Sequence, residues 1–137
     1  MDAVKTLNVL KGPVRQFQEL QGRILCRAEQ IGNEELRLYL TDDHYVRFYH
    51  YAYYCESVRI EDVCGNLDDL VGEVLTEAEL VEGYTADPLN SHAESYTWTF
   101  YRFGTRRGSV TVRWYGESNG YYSERVDVEI VGSGQED

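Results

Sequence analysis

Tyr96-Thr97-Trp98-Thr99-Phe100-Tyr101 and Arg113-Trp114-Tyr115-Gly116-Glu117-Ser118-Asn119-Gly120-Tyr121-Tyr122-Ser123-Glu124 are the stretches that decide the fold class. Both are dense in aromatic residues, which fit a pleated, half-buried surface. Ser118-Asn119-Gly120 is a strong hairpin signal, because Asn and Gly tolerate the positive φ angles that tight turns require. Trp98 and Phe100, then Val110, Val112 and Trp114, then Val126, Val128 and Ile130 mark the inner faces of three strands.

The same period of two extends toward the amino terminus. Leu36, Leu38 and Leu40 alternate with Arg37, Tyr39 and Thr41. After Asp42-Asp43, Val46, Phe48 and His50 alternate with Tyr45, Arg47, Tyr49 and Tyr51, which predicts a hairpin with a Tyr/Arg lattice on its second face. Val58 and Ile60 belong to a further strand. In the next one, Val74, Thr76, Ala78 and Leu80 line one side and Glu77 and Glu79 the other. Helical signals are short: Pro13 with Val14, Phe17 and Leu20 before Gly22, and Asn66 capping Leu67-Asp68-Asp69-Leu70 before Gly72. Leu20-Gln21-Gly22-Arg23-Ile24-Leu25 and Leu70-Val71-Gly72-Glu73-Val74-Leu75 therefore share a helix-end, glycine, strand-start grammar. The expected fold is mainly β or α+β, an antiparallel meander curled into a roll or sandwich with one or two short helices. No long amphipathic helix is available for parallel crossovers.

At 137 residues the chain fits one domain. Residues 1–19 read as a partly helical amino-terminal extension, 20–131 as a single β-rich domain, and 132–137 as a disordered tail. The formal charge is −11, from 24 acids against 13 bases, and this disfavours direct contact with a phosphate backbone. Between Arg59 and Arg102 lie ten acids and no Lys or Arg. No apolar run approaches membrane-spanning length and no secretion signal opens the chain, while three cysteines, Cys26, Cys55 and Cys64, favour reduced thiols in a cytoplasm.

Four constellations are candidates for chemistry. His44, His50, Cys55 and Cys64, with Asp62 nearby, lack the short spacings of a zinc knuckle; the simpler reading makes the two cysteines buried hydrophobes and His50 a core or hairpin-facing ring. Cys55 with His50, or Ser118 and Ser123 with Glu117 and Glu124, have no framing nucleophile motif. Arg113, Tyr115, Glu117, Asn119 and Tyr121 offer stacking faces, a guanidinium, a carboxylate and an amide, the toolkit of a small-ligand or nucleotide patch. Glu61, Asp68, Asp69, Glu73, Glu77, Glu79 and Glu82 supply an acidic face for a basic partner. Glu77 and Glu79, two residues apart on a strand, are spaced by roughly 7 Å, similar to successive phosphates. No motif calls for a cofactor or a metal.

Residues 20–131 resemble a family of small, uncharacterised phage and prophage proteins. The resemblance is carried by Leu20-x-Gly22, Tyr49-His50, Cys55-Glu56-Ser57-Val58-x-Ile60-Glu61-Asp62, Gly65-x-Leu67-Asp68-Asp69-Leu70-x-Gly72, Ser95 to Tyr101, and Arg113 to Glu124. Where that family often reads Cys-Cys-Glu, this chain reads Tyr54-Cys55-Glu56. The resemblance implies a phage setting and a host cytoplasm, and brings no catalytic residues. The function expected first is an acidic interaction protein that inhibits a host defence or nucleic-acid-processing machine. It would be of anti-CRISPR or anti-restriction type, acting by nucleic-acid mimicry on a basic host protein, without direct nucleic acid or membrane contact. A small-ligand or nucleotide-binding module is the alternative, and an enzyme built on His50, Cys55, Glu56 and Asp62 the second alternative.

Overall fold

The computed structural model describes residues 20–40, 44–52, 56–83 and 87–132. Eight strands run through them: β1 (Leu25–Ile31), β2 (Glu35–Leu40), β3 (Tyr45–Tyr49), β4 (Ser57–Cys64), β5 (Glu77–Gly83), β6 (Ser95–Thr105), β7 (Gly108–Ser118) and β8 (Asp127–Val131). They make two four-stranded antiparallel sheets, ordered β1-β2-β3-β8 and β4-β7-β6-β5. The second order is a Greek key, since β5, β6 and β7 meander and β4 joins beside β7. The mainly β, antiparallel sandwich expected from the alternation is the fold found. The helix read before Gly22 starts outside the described residues, as do the Asp42-Asp43 turn and residues 133–137.

The sheets share one core. Leu36, Leu38, Val46, Phe48 and Ile130 face Ile60, Ala78, Tyr101, Phe103, Val110, Val112 and Trp114. The Phe48 ring lies 4.9 Å from Tyr101 and 6.0 Å from Phe103, both edge-on, which ties the middle of one sheet to the middle of the other. Burying a side chain of this size stabilises by about 1.5–3 kcal/mol. One sequence expectation is corrected here. Trp98 and Phe100 do not face the core; they pair across from Tyr115 and Arg113 on the outer face, while Tyr101 and Phe103 point inward. In this strand both parities are apolar, so period two alone cannot say which face is inside. Trp98 is nonetheless 3% exposed, because its indole donates to the Asp87 carbonyl at 3.0 Å and the connection after β5 lies over it.

The two segments that share a grammar meet in space. Gly22 N–H donates to Leu75 O and Gly72 N–H donates to Leu25 O, each at 2.8 Å, around an Ile24–Val74 bridge. The exchange is reciprocal: each glycine reaches the leucine three residues after the other glycine. Both glycines have positive φ, +91° and +86°, the conformation that turns their N–H groups toward the partner segment. Leu20, Leu25, Leu70 and Leu75 are at most 1% exposed beneath this contact. The 3-10 helix Leu67–Leu70 leads into it, capped by the Asn66 side chain on the Asp68 N–H as the sequence suggested.

A second correction concerns Ser118-Asn119-Gly120. The tight hairpin in this region is Thr105-Arg106-Arg107-Gly108, between β6 and β7. Ser118-Asn119-Gly120 instead begins the crossover from β7 to β8 in the other sheet; Asn119 Oδ1 accepts from Tyr121 N–H at 2.9 Å, and Ser118 Oγ accepts from Gly120 N–H at 2.9 Å. Turn residues close a corner as readily as a hairpin, and the destination of the next strand decides which. Glu124 anchors the crossover by accepting from Thr97 at 2.7 Å and Ser118 at 2.5 Å. It passes directly over Gly116, where an added Cβ would stand 2.9 Å from Glu124 O, 3.0 Å from Glu124 Cβ and 3.2 Å from Val58. Gly116→Ala is therefore expected to lower stability by about 1–3 kcal/mol through forced displacement of the crossover. Denaturant unfolding checks this; an unchanged midpoint refutes the close approach.

Candidate functional site

Four places in this frame carry the candidate residues, beginning with the acids. Asp68, Asp69, Glu73 and Glu77 gather at the β6–β7 hairpin end. Asp69 lies beside Gly108, Glu73 on Arg106, and Glu77 beside Gly104. Glu61 and Glu79 stand on β4 and β5, the opposite edges of the sheet. Glu82 lies on β5 opposite Thr99, and its side chain is outside the described set.

Most of these acids have arginine partners that the sequence reading did not anticipate. Arg106 grips Glu73 at 2.9 and 3.3 Å, Arg107 lies 3.9 Å from Asp69, Arg102 3.8 Å from Glu79, and Arg59 3.7 Å from Glu61. The Glu73 hydrogen bonds hold Arg106 above the ordinary guanidinium range. The signal was present: a two-residue hairpin at Arg106-Arg107 delivers both guanidinium groups to the end where the 3-10 helix presents its acids. Asp68 and Glu77 are exposed and have no such partner among the described residues.

The proposed ligand patch is largely filled by the protein itself. Arg113 makes a bidentate pair with Asp62 at 2.7 and 2.9 Å and lies 5.1 Å from the Trp98 ring; the Asp62 hydrogen bonds raise its pKa. Tyr115 is fully buried, 4.8 Å from Trp98, and its hydroxyl accepts from Leu89 N–H at 3.1 Å. Burial, with a hydrogen bond to Glu117, pushes its phenol pKa up. Glu117 sits on β7 opposite Ser57 and Tyr96, and Asn119 is spent on the corner. Tyr121, 83% exposed, is the member of the patch left fully open.

The Tyr/Arg lattice is the outer face of the first sheet, and it too is internally satisfied. Arg37 and Arg47 stand directly opposite each other, a repulsive pairing in itself. Glu35 offsets it by accepting from both, at 2.6 and 3.2 Å, and Glu129 takes Arg47 from the other side at 3.2 Å. The Glu35 hydrogen bond drives the Arg37 pKa well above its usual range. Arg47 also lies 3.9 Å over the Tyr49 ring, whose phenol pKa burial and the neighbouring Glu129 and Asp127 raise.

The His/Cys/acid candidates divide. Cys55 lies outside the described residues, and Cys64, expected to be buried, is exposed. Among the described residues no group of three or more His, Cys, Asp or Glu side chains could hold a metal ion. His50 and Glu56 do meet, beside a polar cavity of about 310 Å³ lined by Asn33, Glu34, Ala52, Ser57, Val58 and Arg59 as well. His50 Nδ1 lies 2.7 Å from the Arg125 carbonyl and Nε2 3.1 Å from Glu56 Oε2, with the two side chains 4% and 0% exposed. A carbonyl only accepts, so Nδ1 carries hydrogen. A hydrogen between Nε2 and the carboxyl completes the second contact, so both ring nitrogens are satisfied in the interior. Both ring nitrogens are thus engaged within the protein, and the pair ties the end of β3, the entry to β4 and the crossover together. Neither faces a substrate as a free base.

This geometry separates two substitutions. In Glu56→Gln the side-chain amide donates to Nε2 of the neutral ring, and the loss of stability is expected to stay below about 1 kcal/mol. Glu56→Ala strands a buried ring nitrogen and is expected to cost about 2–3 kcal/mol. Equal losses in denaturant unfolding would contradict the His50–Glu56 contact.

Comparison with known proteins adds the family. No curated protein matches the chain, and no solved structure does. A family model described as a domain of unknown function, DUF7448, matches residues 18–128, a span that includes the hairpin end, the filled aromatic face and the His50–Glu56 pair. The chain, with both sheets of its sandwich inside that match except for the end of β8, belongs to the DUF7448 family.

Proposed function

We propose that this chain is an acidic interaction protein that docks on a basic surface of a nucleic-acid-processing machine. In this reading it is phage-encoded and works in the host cytoplasm as an anti-CRISPR or anti-restriction inhibitor, occupying a channel that otherwise takes nucleic acid. The observation that carries the reading is where the positive charge goes. Eight of the ten described arginines lie 2.6 to 3.9 Å from a carboxylate. The bases are absorbed in pairs, and the excess of carboxylates behind the net charge of −11 is what a partner meets. Such a field accelerates encounter with a basic surface and discourages phosphate. Arg106 and Arg107, set among Asp68, Asp69, Glu73 and Glu77, give the hairpin end a mixed pattern that selects for a matching partner.

Expression of the chain in bacteria carrying a restriction or CRISPR system is expected to raise the plating efficiency of a sensitive phage, and Asp68→Lys with Glu77→Lys to reduce that rise. Unchanged plating across defence systems, with no salt-sensitive binding to the purified nucleases, overturns the reading. The 310 Å³ polar cavity beside His50 favours a second reading, a module for a small polar ligand such as a nucleotide. A nucleotide panel that raises the Tm supports it by mass action, and a flat panel removes it.

A further inference from the structure

The two sheets end in four edge strands, and they are not equivalent. The start of β1 is bridged by Val71 and Val74. On β4, Ile60 N–H donates to the Asn33 carbonyl at 2.6 Å, and β8 is a short edge of five residues. β5 pairs with β6 along all seven of its residues, and among the described residues no strand, bridge or backbone hydrogen bond meets its other side. An open row of N–H and C=O groups is a template for another strand.

The side chains of β5 restrict what that strand can be. Glu77 and Glu79 pair across from Gly104 and Arg102, so they project on the outer face, and both are exposed. Glu79 is half exposed and only 3.8 Å from an equally exposed Arg102, a contact weak enough to exchange. Ala78 and Leu80 alternate with them toward the core, and Leu80 remains 37% exposed at the rim. A second copy of β5 would bring carboxylates against carboxylates on the same face, which is destabilising. Lys or Arg at alternate positions of an incoming strand reverses the sign; the residue between them falls opposite Ala78, and the one that follows the partner of Glu79 falls beside Leu80. We infer that the open edge of β5 accepts an extended basic segment of a partner protein by strand addition, with alternate Lys or Arg side chains paired to Glu77 and Glu79 and an apolar residue beside Leu80. This rests on the reading of the chain as an acidic interaction protein and adds how and where it binds.

The test uses the full chain and a short fluorescent peptide of alternating Lys and Val, followed by anisotropy. The peptide is expected to bind and its Glu/Val counterpart not to. Two N-methylated forms, blocked on alternate sets of amides, are expected to differ: the set facing the edge abolishes binding and the set facing solvent does not. Glu77→Lys with Glu79→Lys is expected to weaken binding by about tenfold or more. Because the N-methylated peptides are read on the unaltered protein, a misfolded variant does not leave the matter open. Equal binding of both N-methylated peptides overturns strand addition while leaving a charge-driven interaction protein standing. Absence of binding by the Lys/Val peptide, with defence inhibition retained, also overturns the β5 site alone, whereas loss of defence inhibition strikes the broader reading.

Discussion

Two reciprocal backbone hydrogen bonds, from Gly22 N–H to Leu75 O and from Gly72 N–H to Leu25 O, join the entry to the first sheet with the connection between the edges of the second. A third, from Leu75 N–H to the Arg23 carbonyl at 2.8 Å, completes the backbone join at this end. The bonds are local, but what they position is not: four leucines are sealed beneath them, and Leu75 leads directly to Thr76, whose N–H donates to the Gly104 carbonyl at 2.8 Å. The contact therefore sets where β5 begins and, through its register with β6, where Glu77 and Glu79 stand. At the other end the Glu124 and His50–Glu56 contacts do the corresponding work, holding the β7–β8 crossover against both sheets.

Charge is distributed by the same architecture. Pairs such as Arg113–Asp62 and Arg106–Glu73 form because strand pairing and hairpin closure bring residues distant in sequence to one place, and the acid-only stretch of the sequence is not acid-only in space. Exposed pairs of this kind add little to stability. Their effect is on pattern: among the described residues they leave particular carboxylates, Asp68 and Glu77 among them, as the unbalanced charges.

The fold was legible because period-two alternation is strict in Leu36 to Leu40 and Val46 to Phe48, and because Asn66 and Gly72 punctuate the chain where the 3-10 helix begins and the next segment turns. It became illegible where alternation carried apolar residues on both faces. Trp98 and Tyr101 are equally good core residues, and the difference between them is made by Asp87 and Leu89, which cover one face from a segment that has no periodicity to read. The corner at Ser118-Asn119-Gly120 was misread for a related reason, since local turn chemistry is silent about which sheet the chain enters next. Of the candidate sites, the meeting of His50 with Glu56 was visible as proximity in sequence. That both ring nitrogens would be occupied was not, because one acceptor is a backbone carbonyl seventy-five residues away.

The pairing of β3 with β8, from Tyr45↔Val131 to Tyr49↔Asp127, has a consequence in time. Tyr49 and the Glu129 carboxylate it meets are 80 residues apart, so the first sheet cannot acquire its fourth strand until nearly all of the domain has been synthesised. The β1-β2-β3 meander needs only local contacts, whereas the far edge of β3 is covered only by β8. Closing a loop over that distance is entropically costly, and a chain whose β8 is not in place presents β3 as an open edge, the kind that pairs with the wrong chain.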